Sequence, residues 1–576
     1  MAERVRDRPA RVVVVGNGPV AARLVEGLVP AVRAGILRVD VVGAEEDDAY
    51  NRVLLAEHAV GRADRARLDV SDAAGARAAG VRIHRGRAVV AIDRMRQSVA
   101  LDDGAALAYD RLVLATGARA HVPPMDGLDD ARRERRDLPR DADGLDRGRH
   151  PLPAGVVALR DLRDARTVLA AVTAGRRIVV LGAGVLGMEL ALAAAEQGAD
   201  VVAVHHGEIP MARNLDRGGG RTLALAADAA GVALAAHARA EGVLLHDRGT
   251  AAARFQALLL ADGGRIDGDL LVLSCGVVAR DELASAAGLA VGRGVLVDED
   301  LRSWTDPGVL AIGDCAHVAA PSSVRADGSV PGGPSGLIGP GWRQADALAG
   351  RLVAEAEAEH GLAPGSAGGA LPAAASPVAP RATDGDRPLV VMLKAEGVDV
   401  VAGGDVTAEP WDDPPRPRRS GRAHRGGCAA VADPGPSPRE VSVWSDPARG
   451  AYVKTVTRDG ILEGFVSVGM PRAGAELTLL FERRGELPAD RSVLLRLDAD
   501  EAGALATGDP LAPDATVCWC NGVTAGAITA AAGDGASTVE EVGACTRAGT
   551  GCGTCRGRIQ EVLQAAGVAA PAGSRG

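Results

Sequence analysis

Short apolar runs that lead into glycine-rich turns occur twice in the chain. The first is the all-valine run 12–15, followed by a glycine turn and then by apolar residues at helical spacing. The second is the run 178–181, followed by a similar turn and the helical pattern 188–197. Uninterrupted apolar runs are typical of strands buried on both faces of a parallel sheet. The repeated strand–turn–helix unit therefore predicts an α/β fold with two doubly wound, Rossmann-like dinucleotide-binding domains.

Breaks in the apolar pattern divide the N-terminal part of the chain. We predict a first dinucleotide-binding unit at 1–150, with a charged surface insertion at 128–150. The second unit is predicted at 151–262, and the chain is expected to return to the first domain at 263–356. A stretch rich in alanine, proline and glycine predicts a linker at 357–385.

The C-terminal part has a different pattern. Short apolar runs punctuated by glycine predict a small, mostly β (α+β) domain at 386–500. Within it, 410–438 combines proline, arginine and glycine without apolar periodicity, so we expect a disordered insertion there. Cysteines cluster in a separate segment, which predicts a small C-terminal domain at 513–565.

Composition narrows the classes of function. The 576 residues carry 65 basic and 75 acidic side chains, a net charge of −10, and only 2% are aromatic. This balance gives no basic surface and few stacking rings for nucleic acid, so no nucleic-acid partner is expected. No apolar run approaches the roughly 20 residues of a membrane helix, so we expect a soluble, cytoplasmic protein without a membrane partner.

The first glycine turn has the spacing of a dinucleotide-binding motif. It places Gly16, Asn17, Gly18 and Ala21 between a predicted strand and a predicted helix. Glycines allow the backbone to approach a pyrophosphate, and the helix N-terminus directs free N–H groups towards it. Glu45 follows the next apolar strand, where an acid is expected to bind a ribose hydroxyl. The alternative interpretation is a glycine turn in an ordinary α/β domain.

The second glycine turn repeats this spacing and adds an acid on its helix. Its candidate cofactor-binding residues are Gly182, Gly184, Val185, Leu186, Gly187 and Glu189. After the next strand the chain has His205 and, further on, Glu208 and Arg213. His205 and Arg213 would tolerate a 2′-phosphate, whereas Glu208 would favour a free ribose. The sequence therefore leaves NADH and NADPH open as the donor.

Further short patterns carry a family resemblance. A strand ends at Thr116-Gly117, another ends at Gly313-Asp314, and Ser274-Cys-Gly276-Val forms a turn between them. In this order, over residues 10–355, the chain resembles the pyridine-nucleotide-linked flavoproteins with two dinucleotide-binding domains. The resemblance implies FAD in the first domain and NAD(P)H in the second. It also implies FAD contacts at the following positions: Arg52, Val89, Thr116, Gly117, Gly276, Gly313 and Asp314.

Four other segments narrow the resemblance. They are the loop 50–55, and the segments 336–342, 393–400 and 446–454. They are similar to the group that contains the large subunit of NAD(P)H-dependent nitrite reductase and the electron-transfer subunit of assimilatory nitrate reductase. No cysteine precedes Cys275, so the redox-active cysteine pair of disulfide reductases is missing from the first unit. Cys275 and Cys315 are expected to be buried, inert thiols.

Five of the eight cysteines lie between 518 and 555. Two close pairs, Cys518 with Cys520 and Cys552 with Cys555, can converge on one metal centre. Four thiolates suit either a [2Fe–2S] cluster or tetrahedral zinc, so spacing alone leaves both open. The segment 546–555 resembles the bacterioferritin-associated ferredoxin-like domain. That resemblance implies that these four cysteines bind a [2Fe–2S] cluster and that Cys545 is a buried thiol outside the ligand set.

The implied cofactors predict an electron-transfer protein. A nicotinamide gives up two electrons together, an iron–sulfur cluster accepts one at a time, and flavin can exchange electrons in both ways. No dedicated catalytic acid or base is expected. We expect the electrons to leave for a separate protein because the chain ends shortly after the cysteines.

Three hypotheses remain for the functional role. The first is an electron-transfer subunit that serves the molybdenum-containing catalytic subunit of an assimilatory nitrate reductase. The second is a stand-alone NAD(P)H reductase for nitrite reductase or another redox carrier. The third, from another class, is a redox-sensing or docking module.

Overall fold

The computed structural model describes most of the chain. The described residues are 8–128, 152–248, 250, 253–367, 390–393, 395–412, 437–498, 512–513, 515–518, 521–551, 553 and 555–567. Most of the predicted insertions at 128–150 and 410–438 and most of the predicted linker lie outside them, as do Cys520 and Cys552. Among the described residues, no helix is long and apolar enough to cross a membrane.

The first domain is built on a five-stranded parallel sheet. Its strands, in order across the sheet, are Val309–Ala311, Arg111–Leu114, Ala10–Val15, Leu37–Gly43 and Arg82–Arg85. The sheet is covered by helices that include Pro19–Arg33, Ala73–Ala78 and Ile338–Glu359. The valines 12–15 are all buried, as expected for a central parallel strand. Because Val309–Ala311 pairs with Arg111–Leu114, the chain returns to this sheet after the second domain.

Smaller elements complete the first domain. They are the antiparallel sheet Val89–Asp93, Ser98–Leu101 and Ala106–Ala108, the pair Ala118–Ala120 with Val277–Ala279, the pair Val295–Val297 with Ala316–Val318, and the helices Leu55–Ala59 and Glu282–Ala286. The long helix ends at Glu359, inside the range predicted as a linker. Its buried Glu357 accepts hydrogen bonds from the backbone N–H groups of Gly365 and Ala367, which hold the chain against the helix beyond its end.

The second domain has its own five-stranded parallel sheet. Its strands, in order, are Val232–Ala235, Val201–Val204, Ile178–Leu181, Leu270–Leu273 and Val156–Val157. Its helices are Leu162–Thr173, Val185–Glu196 and Arg217–Ala229, and an antiparallel sheet is formed by Ala240–His246, Arg254–Leu260 and Arg265–Asp267. Leu270–Leu273 lies in the range that the sequence assigned to the first domain, yet it pairs in parallel with Ile178–Leu181. We therefore propose a domain boundary after Leu273 rather than after residue 262.

The small domain is an antiparallel sheet covered by two helices. Its strands, in order, are Val390–Leu393, Val400–Gly404, Ile461–Val468, Ala451–Arg458 and Glu440–Asp446, and its helices are Pro471–Arg483 and Ser492–Arg496. The C-terminal domain contains the short pair Thr516–Cys518 with Val523–Thr524, and the helices Ala525–Gly533, Val539–Thr546 and Arg556–Ala565. Both units have hydrophobic cores of their own.

The small domain packs closely against the second domain. A Cβ atom on Gly218 would approach the phenol ring of Tyr452 to less than 3 Å, so the glycine leaves room for this ring. The Tyr452 hydroxyl donates to Asp216 at 2.5 Å. Lys454 is fully buried, and its ammonium nitrogen lies 3.5 Å from Asp216 and 3.2 Å from Glu409. A buried ammonium group needs such partners, because an unpaired buried charge is costly.

Candidate flavin, nicotinamide and cluster sites

One large cavity, of about 2700 Å³, lies between the domains. It is lined by the first glycine turn, by the start of the helix that follows Gly184, and by residues of the C-terminal domain. Of the residues that the sequence proposed, those lining the cavity are Gly16, Asn17, Gly18, Ala21, Glu45, Arg52, Val89, Thr116, Gly117, Val185, Leu186, Glu189, Gly313, Asp314 and Cys555. Gly182, Gly184, Gly187, His205, Gly276 and Cys518 are not part of this lining. The structure thus brings most of the proposed residues to one space.

The first glycine turn has the geometry that a dinucleotide requires. Gly16 has φ +112°, and a Cβ atom there would collide with the carbonyl of Ala115. At Gly18, in contrast, a Cβ atom would meet nothing within 4 Å. Gly18 caps the helix Pro19–Arg33 without a side-chain hydrogen bond. The open side of Gly18 and the helix N-terminus therefore fit a pyrophosphate that approaches the backbone closely.

A second observation supports a ligand at this turn. The side-chain nitrogen of Asn17 is buried and has no hydrogen-bond partner within the described chain. A buried donor without an acceptor is costly, so a bound group that accepts from Asn17 would remove the penalty. The residues of the first turn thus fit the adenosine diphosphate part of FAD.

The proposed ribose acid, Glu45, is held by two neighbours. Its carboxylate accepts from the Tyr50 hydroxyl at 2.6 Å and pairs with the Arg52 guanidinium at 2.5 Å. Burial raises the pKa of Tyr50, and the nearby Glu45 raises it further, so the hydroxyl stays a donor. Arg52 also donates to the carbonyl of Arg160 at 2.8 Å. The acid is therefore fixed in position beside the glycine turn.

Three partly buried arginines lie close to the FAD-type turn, in a cavity whose lining contains both acidic and basic side chains. Arg52, Arg160 and Arg280 all line it, and Arg160 pairs with Asp314 at 3.2 Å. Burial lowers the pKa of Arg160, and the charge of Arg52 lowers it further. Burial likewise lowers the pKa of Arg280, outweighing its attraction to Glu282. Buried cations that disfavour one another are stabilised by an anionic ligand, which is consistent with a dinucleotide diphosphate.

The residues from the family resemblance lie at strand ends around the same space. The Thr116 hydroxyl donates to the carbonyl of Arg280 at 2.7 Å. The backbone N–H of Gly313 donates to the side chain of Gln344 at 2.7 Å, and Asp314 follows at the carboxyl end of its strand. Gly276 has φ +92° and lies beside Cys275 in the turn before Val277–Ala279. Ligands bind at the carboxyl ends of parallel strands, so these positions suit a flavin.

The second glycine turn repeats the design of the first. Gly182 has φ +113°, and Cβ atoms on Gly182 or Gly187 would collide with backbone atoms. At Gly184 a Cβ atom would again meet nothing within 4 Å, and this glycine caps the helix Val185–Glu196. Glu189 is buried on that helix and lines the cavity. These residues fit a second dinucleotide, NAD(P)H.

The residues proposed to select the donor are not equivalent. Glu208 is engaged by Arg217 at 2.7 Å and by Arg221 at 2.9 Å. His205 is buried, and its Nε2 atom has no hydrogen-bond partner within the described chain. Burial lowers the pKa of His205, and the neighbouring histidines lower it further, so its ring stays neutral near pH 7. Glu208 is thus charge-compensated by two arginines, and His205 is a neutral, buried ring. Neither observation favours NADH over NADPH as the donor.

The described part of the cysteine site contains Cys518 and Cys555. Both are buried, and the Cys555 thiol donates a hydrogen bond to the sulfur of Cys518. This bond, together with backbone N–H groups of Gly549 and Asn521, lowers the pKa of Cys518 below that of an ordinary thiol, even though burial raises it. The Asn521 side-chain nitrogen lies 3.7 Å from the same sulfur. Thiolates are the form that binds metal, so this environment suits a cluster ligand.

The other described cysteines have different surroundings. Cys545 is exposed, so its assignment as a buried thiol is wrong. Its helix turns Val542 and Gly543 inwards, and Cys545 falls on the outer face. Cys275 is half-buried, and burial raises its pKa to about 11. Cys315 is fully buried, where burial also raises its pKa, and its thiol lies 3.3 Å from the carbonyls of Leu114 and Ile312.

Some site residues could not be found from the sequence. Arg160 and Arg280 line the cavity but are single arginines in an arginine-rich chain, without a motif around them. Asn51 stands next to Arg52 in a loop that the sequence analysis singled out, yet its partners are the carbonyls of Thr550 and Gly551. No local pattern indicates a contact over that separation.

Family models agree with this geometry. Residues 10–332 match the pyridine nucleotide-disulphide oxidoreductase model, and residues 516–565 match the BFD-like [2Fe-2S] binding domain. The chain belongs to the pyridine nucleotide-disulphide oxidoreductase family, although no cysteine pair is present in its first unit. It is thus an NAD(P)H-dependent flavoprotein oxidoreductase with a [2Fe–2S] domain, and FAD and NAD(P)H are the cofactors of its first two domains.

Curated relatives narrow the resemblance. Over 557 residues, 96% of this chain, it is 26% identical to "Nitrite reductase [NAD(P)H]" of Bacillus subtilis and covers 57% of that protein. Over the same length it is 25% identical to the "Assimilatory nitrate reductase electron transfer subunit" of that organism and covers 59% of it. The expected group is therefore confirmed, and the chain spans less than two thirds of either relative.

Solved structures share the fold. The covalent putidaredoxin reductase–putidaredoxin complex superposes with a TM-score of 0.60 at 20% identity, covering 86% of this chain and all of that chain. An NAD-dependent persulfide reductase from A. fulgidus superposes with a TM-score of 0.58 at 19% identity, covering 87% of this chain and 80% of that one. Both likenesses confirm the two-domain dinucleotide-binding architecture.

Proposed function

We propose that the protein transfers electrons from NAD(P)H, through FAD and a [2Fe–2S] cluster, to the catalytic subunit of an assimilatory nitrate reductase. The supporting observation is the shared cavity, which is lined by the FAD-type turn, by Val185, Leu186 and Glu189 at the start of the helix after Gly184, and by Cys555. When bound, the cofactors supply hydride acceptance and one-electron transfer. The chain binds them, orients them and excludes water between them.

Specific residues are proposed to bind each cofactor. Gly16, Gly18, Asn17 and Glu45 are proposed to hold the adenosine part of FAD, and Asp314 its ribityl chain. Gly182, Gly184, Gly187 and Glu189 form the proposed NAD(P)H site. Cys518, Cys520, Cys552 and Cys555 are the proposed cluster ligands, although Cys520 and Cys552 lie outside the described residues. A cytoplasmic location is proposed as well, since thiolate ligands and free thiols persist in a reducing compartment.

A second acceptor is supported by the relatives. The chain covers nearly the same share of the nitrite reductase as of the nitrate reductase subunit, at nearly the same identity. We therefore retain a second candidate, a reductase component that serves nitrite reductase or another redox carrier.

The test is an anaerobic titration with NADH and with NADPH. Visible absorption follows flavin bleaching, and EPR follows the reduced cluster. We expect both signals to appear with one of the two donors. The reduced protein is then mixed with a nitrate reductase catalytic subunit, or with a sirohaem nitrite reductase, and its reoxidation is timed. A protein that is never reduced by either donor would refute the proposal and favour a sensing or docking role.

A further inference from the structure

One side chain of the first domain reaches the segment that precedes Cys552. Asn51 is buried, and its side-chain nitrogen donates to the carbonyl of Gly551 at 2.5 Å and lies 3.4 Å from that of Thr550. Its side-chain oxygen accepts from the backbone N–H of Val53 at 3.0 Å. The amide oxygen of Asn51 therefore bonds within its own loop, while the amide nitrogen bonds to the C-terminal domain.

The segment 547–551 is also part of the cysteine site. The sulfur of Cys518 lies 3.7 Å from the side-chain nitrogen of Asn521. The Asn521 side-chain nitrogen, which faces the same sulfur, donates to the carbonyl of Arg547 at 2.7 Å. The backbone segment to which Asn51 donates its hydrogen bonds therefore also lies beside Cys518, a proposed cluster ligand.

A second contact joins the same two domains. The guanidinium of Arg547 lies 2.6 Å from the carboxylate of Glu26, which is on the helix that follows the first glycine turn. Arg547 ends the helix Val539–Thr546 in the left-handed conformation, with φ +65°. The ion pair and the Asn51 hydrogen bonds therefore hold one short segment at both of its ends.

The loop that carries Asn51 is itself fixed by the FAD site. Tyr50 and Arg52, on either side of Asn51, both bind Glu45, the proposed ribose acid. The backbone N–H of Asn51 donates to the carbonyl of Leu68 at 2.7 Å. The position of the Asn51 amide is thus set by residues that line the flavin site.

We propose that Asn51 is a positioning residue that docks the segment 547–551, and with it the cluster site, onto the FAD-binding domain. The Glu26–Arg547 pair is the second docking contact. The proposal rests on the function proposed above, because its purpose is to keep the cluster site beside the flavin site. Docking would keep Cys518 and Cys555 next to the FAD-binding residues, where FAD and a [2Fe–2S] cluster, when bound, would supply one-electron transfer.

The Asn51→Asp variant separates docking from local folding. Aspartate retains an oxygen for the N–H of Val53, but it lacks the donor and places a negative charge opposite two carbonyls. The matched control is Gln564→Glu, the same change from amide to acid at an exposed position of the same C-terminal domain. Both variants are prepared as full-length protein with FAD and cluster bound, and their flavin and iron contents are compared first.

The first readout is hydrogen–deuterium exchange, which needs neither donor nor acceptor. We expect the amides of 547–551 to exchange about tenfold faster in Asn51→Asp, equivalent to about 1.4 kcal/mol of lost docking free energy. Exchange in Gln564→Glu should match the wild type. Unchanged exchange in Asn51→Asp would overturn the proposal.

The second readout is stopped-flow reduction. Flavin bleaching by NAD(P)H should keep its rate in Asn51→Asp, whereas cluster reduction should slow about tenfold. A wild-type protein whose cluster is never reduced would refute the proposed function, while faster exchange in the variant would still support docking. Equal cluster reduction rates in wild type and Asn51→Asp would overturn the positioning role.

A charge reversal provides an independent test. Burial raises the pKa of Glu26 to about 7, so the exchange is measured at pH 8, where this side chain is ionised. There Glu26→Arg and Arg547→Glu should each speed the exchange of 547–551, since each places like charges together. The double variant should restore slow exchange. If the double variant exchanged as fast as the single variants, the Glu26–Arg547 pair would not contribute to docking.

Discussion

The cysteines of the dinucleotide-binding domains and those of the C-terminal domain have opposite acid–base properties. Burial raises the pKa of Cys275 to about 11 and also raises that of Cys315. In the C-terminal domain, the hydrogen bond from Cys555 and the surrounding N–H groups lower the pKa of Cys518 below its ordinary value. Both Cys315 and Cys518 are buried, so burial alone does not decide the outcome.

Hydrogen-bond donors surround both sulfurs, and the two sites differ in how those donors balance the effect of burial. At Cys315, burial outweighs the hydrogen bonds from the Thr116 side chain and the backbone N–H of Gly117. The Cys315 thiol donates to carbonyl groups, which stabilise the neutral form. At Cys518, the hydrogen bond from the Cys555 thiol, aided by N–H groups, stabilises the thiolate by more than burial disfavours it. One cysteine environment favours inert packing, and the other favours metal binding, within the same chain.

The largest expected effect is loss of the cluster. Replacing Cys518 or Cys555 by serine removes a thiolate from the four-cysteine set, so the iron and the EPR signal of the reduced cluster should be lost while FAD remains bound. Iron analysis and EPR measure the result. Cys545→Ser is the control and should keep its iron, because this cysteine is exposed on the outer face of its helix. Zinc in place of iron in the wild-type protein would contradict the cluster assignment.

A smaller effect is expected when a donor near the sulfur is removed. Asn521→Ala removes the side-chain nitrogen 3.7 Å from the sulfur of Cys518. The reduced cluster carries more negative charge than the oxidised one, so losing a donor should shift the reduction potential to more negative values. A redox titration followed by EPR measures the shift. Gln564→Ala, on the exposed face of the last helix, is the control and should leave the reduction potential unchanged. If Asn521→Ala also left the reduction potential unchanged, Asn521 would not act as a donor to the cluster.

The smallest effect concerns the inert thiols. Alkylation requires the thiolate, and a pKa near 11 leaves about one Cys275 in a thousand ionised at pH 8. Its alkylation rate should therefore rise about tenfold per pH unit between pH 7 and 10. Iodoacetamide labelling followed by peptide mass spectrometry measures it, with exposed Cys545 as the accessible reference. Rapid labelling of Cys275 at pH 7 would contradict the burial effect.

Local patterns predicted the parts of the fold and site that depend on local geometry. The glycine turns were predictable because positive φ and close backbone approach restrict Gly16 and Gly182 to glycine. The acid Glu45 could be expected from its distance along the chain to the turn. The apolar runs likewise indicated central strands, since parallel sheets bury both faces.

Features that join distant parts of the chain were not predictable. The contact of Asn51 with Gly551 spans nearly the whole sequence, and no periodic pattern connects the two. Leu270–Leu273 is apolar and would suit either sheet, so only its pairing with Ile178–Leu181 assigns it to the second domain. Cys545 was placed wrongly because its burial depends on which helix face meets the core.

The fit between the second domain and the small domain restricts how this protein can be recombined. Lys454 and Tyr452 lie on one side, while Asp216 and the space left by Gly218 lie on the other. A small domain without a cation at position 454 would leave Asp216 buried without this partner, and a second domain with a side chain at position 218 would press it against Tyr452. The two surfaces must therefore be transplanted together in any exchange of domains.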